Sequence, residues 1–224
     1  MNTYRIKIMK KNSWKYKIAE EIVSSFKKDC PMSKHIYEKV IIKELLWHAT
    51  TMRKGKDENE AMVQIKYIGQ RYWSQDAINK YIDNNPNGYK NCTGLTHEHA
   101  IPRNMIQSMI EEVLDNQKEK NKKKAIYDIL DKYSKSMVIS AEENKNINPK
   151  YKNGFGDTED KDWKKQYIKN GNAVEGKEFI NFMKNHRYKN TNIIIKDLGN
   201  DVSYDKKFKQ QIKYKNPTVI KLFD

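Results

Sequence analysis

Cysteine is almost missing from this chain: Cys30 and Cys92 are the only two in 224 residues, and no CxxC pair occurs. A disulfide framework and a structural zinc ribbon are therefore excluded as organising principles, and the sparse thiols suit a reducing compartment. Apolar residues are also scarce at 37%, which stays low even with the nine glycines added, against a usual share of about 45–50%. The core must be modest and much of the chain solvated. No long apolar run exists. Val40-Ile41-Ile42 and Ile193-Ile194-Ile195 fall far short of the roughly 20 residues that span a bilayer, and the opening MNTYRIKIMKKNSWKYK has no apolar signal core. A soluble cytoplasmic protein without a membrane partner is expected. The chain also lacks GxSxG, a P-loop and HExxH, so the hydrolase, nucleotide-binding and metalloprotease chemistries carried by those motifs find no support.

What is abundant is positive charge. Lys and Arg number 44 against 29 Asp and Glu, a formal charge of +15. Such an excess raises the local potential for a polyanion and releases its condensed counterions on binding, which points to nucleic acid. A codon bias toward Lys, Asn and Ile would produce the same excess, so charge alone does not decide the partner.

Periodicity gives the outline of the chain. Residues 13–50 read as two antiparallel helices, with apolar positions at Ile18, Ile22, Val23 and Phe26, then at Ile36, Val40, Ile41, Leu45 and Leu46 after the break at Cys30-Pro31. Met52 to Ala61 reads as a charged loop and Val63 to Tyr67 as a short strand. Ser74 is placed to cap a helix running through Ile82, with Asp76 in its first turn. Tyr89 to Ala100 reads as extended, interrupted at Asn91 to Gly94 and stopped by Pro102. The spacing then predicts two helices over 103–133, the first with Met105, Ile106, Met109, Ile110, Val113 and Leu114 on one face. Ser136 to Ser140 is a buried-strand candidate, and Ser140 with Glu143 has the spacing of a capping box. Beyond it, Thr158 to Asn170 and Glu175 to Asn185 read as helices and Ile193 to Ile195 as a strand. Trp14, Trp47, Trp73 and Trp163 sit in apolar patterns and are assigned to cores. The basic, aromatic tail, including Lys206-Lys207-Phe208-Lys209 and Lys213-Tyr214-Lys215, reads either as a track for a nucleic-acid backbone or as a solvated surface.

The densest chemistry lies in LTHEHAIPRN, Leu95 to Asn104, which places His97 and His99 around Glu98 in a chain with five histidines. On a strand, alternation sends both histidines to one face and Glu98 to the other. If the strand instead ends at Glu98, the turn before Pro102 brings Glu98 and His99 toward one cleft. His35, His48 and His186 are read as structural or surface residues.

Glu98-His99-Ala100-Ile101-Pro102-Arg103 resembles the first half of the HNH, or ββα-metal, nuclease motif. Met137-Val138-Ile139-Ser140-Ala141-Glu142-Glu143-Asn144 is similar to its second half, a short apolar strand entering a helix with an amide near its start. The resemblance spans residues 93–148. It implies that His99 is the general base, Glu98 a metal ligand and Asn144 the second protein ligand. Oxygen ligands of this kind suit Mg2+ or Mn2+. Arg103 is a candidate phosphate contact, and His97 is left between a metal contact, a phosphate contact and a solvated side chain. Glu98 stands where the family commonly has Asp, the bracing central asparagine has only Asn104 and Asn116 as candidates, and the loop between the strands holds two helices.

The expectation is therefore an α+β protein, mostly helical, with a small ββα-metal core over 93–150 that carries a helical insert at 103–133. An N-terminal helical part covers 1–92 and a basic extension 151–224. The resemblance implies a divalent-metal-dependent endonuclease acting on double-stranded DNA, of the stand-alone bacterial restriction or defence kind or a phage-type homing enzyme. Cutting both strands with one site per chain implies a homodimer. Alternatives are a non-catalytic nucleic-acid-binding protein with a degenerate motif and an RNA-cleaving toxin.

Overall fold

The computed structural model describes residues 14–26, 42–53, 63–64, 67, 70–84, 91–116, 118–147, 154–155 and 162–199. They form an α+β fold. Its helices are α1 (Trp14–Ser25), α2 (Ile42–Thr51), α3 (Gln75–Asn84), α4 (Arg103–Asp115), α5 (Lys122–Tyr133), α6 (Ala141–Asn146), α7 (Trp163–Tyr167) and α8 (Gly176–Asn185). The strands are β1 (Met52–Arg53), β2 (Val63–Gln64), β3 (Tyr72–Ser74), β4 (Leu95–His99), β5 (Ser136–Ser140), β6 (Ile168–Lys169), β7 (Asn172–Ala173) and β8 (Ile195–Asp197). Among the described residues no helix is long and apolar enough to cross a membrane.

The organising element is a four-stranded sheet in the order β4-β5-β3-β8. β4 and β5 pair antiparallel, with Leu95 opposite Ser140, His97 opposite Val138 and His99 opposite Ser136. β3 pairs parallel to β5, with Trp73 beside Val138, and antiparallel to β8. The central position of β5 explains its composition: all five residues of Ser136-Met137-Val138-Ile139-Ser140 are buried, as expected for a strand covered on both faces.

Residues paired across a ladder share a face, so the register divides the sheet. Leu95, Val138 and Trp73 lie on one side and pack with Ala77, Ile78, Tyr81 and Ile82 of α3. Tyr72, Met137, Ile139 and Ile195 belong to a larger apolar cluster with Phe179, Phe182 and Met183 of α8. The same cluster takes in Ile18 and Ile22 of α1, Leu46 of α2, Ile106, Ile110 and Leu114 of α4, and Ile126 and Leu130 of α5. Apolar residues from N-terminal, central and C-terminal stretches thus interleave in one core. The two helices between β4 and β5 are part of it, with Lys15 Nζ donating to the Leu130 carbonyl at 3.2 Å.

The helices over 103–133, the strand Ser136 to Ser140 and both predicted caps occur where the sequence places them. Asn121 caps α5 by accepting from Lys124 N–H, and the Ser140–Glu143 capping box is complete. Three expectations need correction. The helix expected over Thr158 to Asn170 is restricted, within its described part, to Trp163–Tyr167, because Asn170 (φ 50°) and Gly171 (φ 77°) take left-handed backbone and close the β6–β7 hairpin. An Asn-Gly pair is the preferred two-residue hairpin turn, and here it outweighs helical periodicity. The C-terminal strand lies at Ile195–Asp197 and not at Ile193–Ile195, since the Ile194 carbonyl is engaged by Gln75 N–H at 2.8 Å and Ile194 stays 54% exposed. Met52-Arg53, expected in a loop, pairs antiparallel with Val63-Gln64, which is all that is described of the strand expected at Val63 to Tyr67 apart from Tyr67 itself. Ile36 to Ile41, the Lys206–Lys215 tail, His35, and the side chains of His48 and Trp14 lie outside the described residues.

Candidate active site

β4 runs through His99, which still pairs with Ser136. Alternation therefore applies to the whole LTHEH stretch, and the arrangement in which the strand ends at Glu98 is not adopted. His97 and His99 share one face with ring centroids 5.1 Å apart and perpendicular planes. Trp47, from α2, covers both, at 5.1 Å from the His97 ring and 6.4 Å from that of His99. α2 is tied to the sheet next to them: Ser136 Oγ donates to Gln70 Oε1 at 2.7 Å, and Gln70 Nε2 donates to the Thr50 carbonyl at 2.9 Å.

His97 and His99 are 6% and 7% exposed. Among the described residues neither ring nitrogen of His99 has a hydrogen-bond partner. Burial pushes the His99 imidazole well below the usual histidine range, and the neighbouring charges of His97, Arg103 and Arg187 push it further down. Each of these opposes adding a proton to the ring. His99 is consequently a neutral imidazole at neutral pH, the protonation state that a base needs. Arg103, at the start of α4, is exposed, with its guanidinium carbon 6.0 Å from the Trp47 ring centre. It lies at the open side of the histidine pair with donors available to an anion.

Glu98 points the other way. Arg187 Nε donates to Glu98 Oε1 at 2.9 Å and Arg187 Nη2 donates to the same oxygen, forming an ion pair whose side chains are 4% and 10% exposed. Beside it, Tyr188 donates to Met137 Sδ at 3.1 Å. Burial drives the Tyr188 phenol well above its ordinary range, with Glu98 and Glu143 adding to the rise. Tyr188 is thus a neutral wall of this site.

The strand-to-helix junction at Ser140 is braced from three directions. Ala141 N–H donates to the Gly94 carbonyl at 2.8 Å, joining the start of α6 to the entry of β4. Glu143 N–H donates to Ser140 Oγ at 3.1 Å, and Ser140 N–H donates to Glu143 Oε2 at 2.9 Å. Ser74 Oγ also donates to Glu143 Oε2 while accepting from Ala77 N–H at 3.0 Å, so one carboxylate links the starts of α3 and α6. Burial raises the Glu143 carboxyl despite these donors. Glu143 is committed to holding the junction. Its neighbour Asn144 is half-buried, and Asn144 Oδ1 is a buried acceptor with no partner among the described residues. α6 packs on both β4 and β5, which puts Asn144 on the hairpin that carries Glu98 and His99.

These residues can be tested against the divalent ion that the HNH resemblance implies. Among the described residues no three His, Cys, Asp or Glu side chains form a ready-made cage. The chain does offer an orphaned buried amide oxygen, Asn144 Oδ1. It also offers a carboxylate whose two hydrogen bonds both end on Oε1, leaving Oε2 without a hydrogen bond from a described residue. An unmet buried acceptor is costly unless something supplies it. Two oxygen donors fit a hard ion that keeps several waters and takes the rest of its shell from a phosphate.

The remaining sequence candidates are placed differently. Asn104 and Asn116 are exposed, at opposite ends of α4. His186 is a core residue, 2% exposed, with Nε2 3.0 Å from Gln166 Oε1 and its ring against Phe182. Sequence reading missed Arg187, Trp47 as a cover for the histidines, and the part played by Ser74 in bracing α6. Arg187 lies 89 positions from its partner, and a contact at that separation leaves no local pattern. Compared with protein-family models, curated proteins and solved structures, the chain has no match.

Proposed function

We propose that this protein is an HNH-type endonuclease that hydrolyses phosphodiester bonds of double-stranded DNA with Mg2+ or Mn2+. The observation that carries the reading is His99: a buried imidazole kept neutral and without a described hydrogen-bond partner, on a strand paired to the one that leads into the Asn144 helix. In this reading the hairpin and α6 are the ββα-metal unit, and α4 and α5 are its insert. Glu98 and Asn144 would hold the ion. Once bound, it would stabilise the charge that grows on phosphate oxygens as the bond breaks. His99 takes the proton of the attacking water, Arg103 engages a neighbouring phosphate, and the +15 net charge draws the duplex in. His97, edge-on to His99, helps to keep the base unprotonated. A cytoplasmic restriction or defence enzyme acting as a homodimer fits this chemistry.

The second reading, a nucleic-acid-binding protein that does not cut, is favoured by one observation: Glu98 is already neutralised by Arg187. The two are separated by incubating supercoiled plasmid with the protein in Mg2+, in Mn2+ and in chelator, with structured RNA in parallel. Nicked or linear DNA that needs the metal is the expected result. Duplex binding without cleavage in either metal would favour the binding protein, and RNA cleaved in place of DNA would favour the toxin.

A further inference from the structure

The buried Glu98–Arg187 ion pair sits where the proposed nuclease would take its cation. Arginine cannot shed its charge by losing a proton. A buried charge parted from its counter-ion is strongly destabilising. If Glu98 turns to a divalent ion, the Arg187 guanidinium is left close to added positive charge with its carboxylate diverted. The nearby groups do not relieve this: Tyr188 is a neutral phenol, and the Glu143 carboxylate is bound to Ser74 and Ser140. Compensating negative charge has to arrive with something else, and a nuclease substrate brings it as backbone phosphate.

We propose that Arg187 is a positioning residue that makes cation binding at Glu98 conditional on duplex DNA, an inference that rests on the nuclease reading. Without substrate, Arg187 holds Glu98 in place by its two bonds to Oε1. When a phosphodiester enters, it replaces Glu98 as counter-ion to the guanidinium and frees the carboxylate for the metal. By linkage, DNA must tighten the cation as much as the cation tightens DNA.

The test is Mn2+ titration followed by the spectroscopic signal of free Mn2+, in the full chain carrying His99→Ala so that the duplex is not consumed, with and without a short duplex. With Arg187 intact, the duplex is expected to tighten Mn2+ by at least about tenfold, or about 1.4 kcal/mol. Arg187→Met should bind Mn2+ at least about tenfold more tightly than its parent without DNA, and should gain little from the duplex. If Arg187→Met does not fold, Arg187→Lys carries the test. It keeps the charge without the planar fork, and tighter Mn2+ binding with some duplex dependence is expected. Equal Mn2+ affinity with and without the Arg187 substitution, in a protein that cleaves DNA when His99 is present, would overturn this inference alone. No Mn2+ binding by any form, with or without duplex, would overturn the nuclease reading with it.

Discussion

Replacing His99 by glutamine should flatten the dependence of stability on pH, and the structure sets the sign and size of the change. His99 is buried and its folded imidazole resists protonation. In the unfolded chain a histidine titrates at about 6.5. Between that value and its lower folded one, the unfolded state holds one more proton than the native state, so stability falls as the pH falls. The slope for one proton is about 1.4 kcal/mol per pH unit. Going from about pH 6.5 to pH 5, His99 accounts for up to roughly 2 kcal/mol of lost stability, and above about pH 7.5 for none. Carboxylates titrate in the same window, but they are common to both proteins and cancel in the difference. Urea unfolding followed by tryptophan fluorescence, from about pH 5 to 7.5, measures both slopes. Wild type should lose stability more steeply than His99→Gln on the acid side. Parallel curves would mean that His99 takes up its proton as readily in the fold as outside it, and the neutral-base argument would fail.

Three further outcomes follow from the junction. Asn144→Ala should leave stability within about 0.5 kcal/mol of wild type, because it removes an acceptor that no described residue satisfies; metal-dependent cleavage should nonetheless be lost, so denaturation and plasmid assays together check it. Ser74→Ala takes away the α3 cap and a donor to Glu143, and should cost about 1–2 kcal/mol in a denaturant melt. Gly94→Ala should destabilise by about 1 kcal/mol or more, since Gly94 has φ +76° and an added Cβ would come within 2.6 Å of Lys80 Cε, disturbing the Lys80–Glu142 ion pair; thermal melting measures the loss.

Local signals in this sequence were readable because each has a local cause. Ser140 and Glu143 satisfy each other's backbone across one helical turn, and Ser74 does the same for Ala77, so spacing alone reveals them. The apolar faces of α4 and α5 repeat at helical period for the same reason. Tyr72-Trp73-Ser74 was not recognised as a strand: at three residues it is too short to show a period, although it sits between β5 and β8 with every residue buried. The site divides in the same way. Alternation alone brings His97 to His99, whereas the environment of Glu98 depends on Arg187, a contact made only when the C-terminal segment returns to the sheet. The Arg71 link to Asp197, at 2.8 Å across 126 positions, was hidden for the same reason.

The most direct measurement is plasmid cleavage by wild type and His99→Ala side by side, with duplex binding recorded on the same preparations. General-base catalysis is worth about 10²- to 10⁴-fold. The account predicts cleavage reduced by at least about a hundredfold with binding retained. Cleavage by His99→Ala at the wild-type rate would contradict it and place the active site elsewhere in the chain.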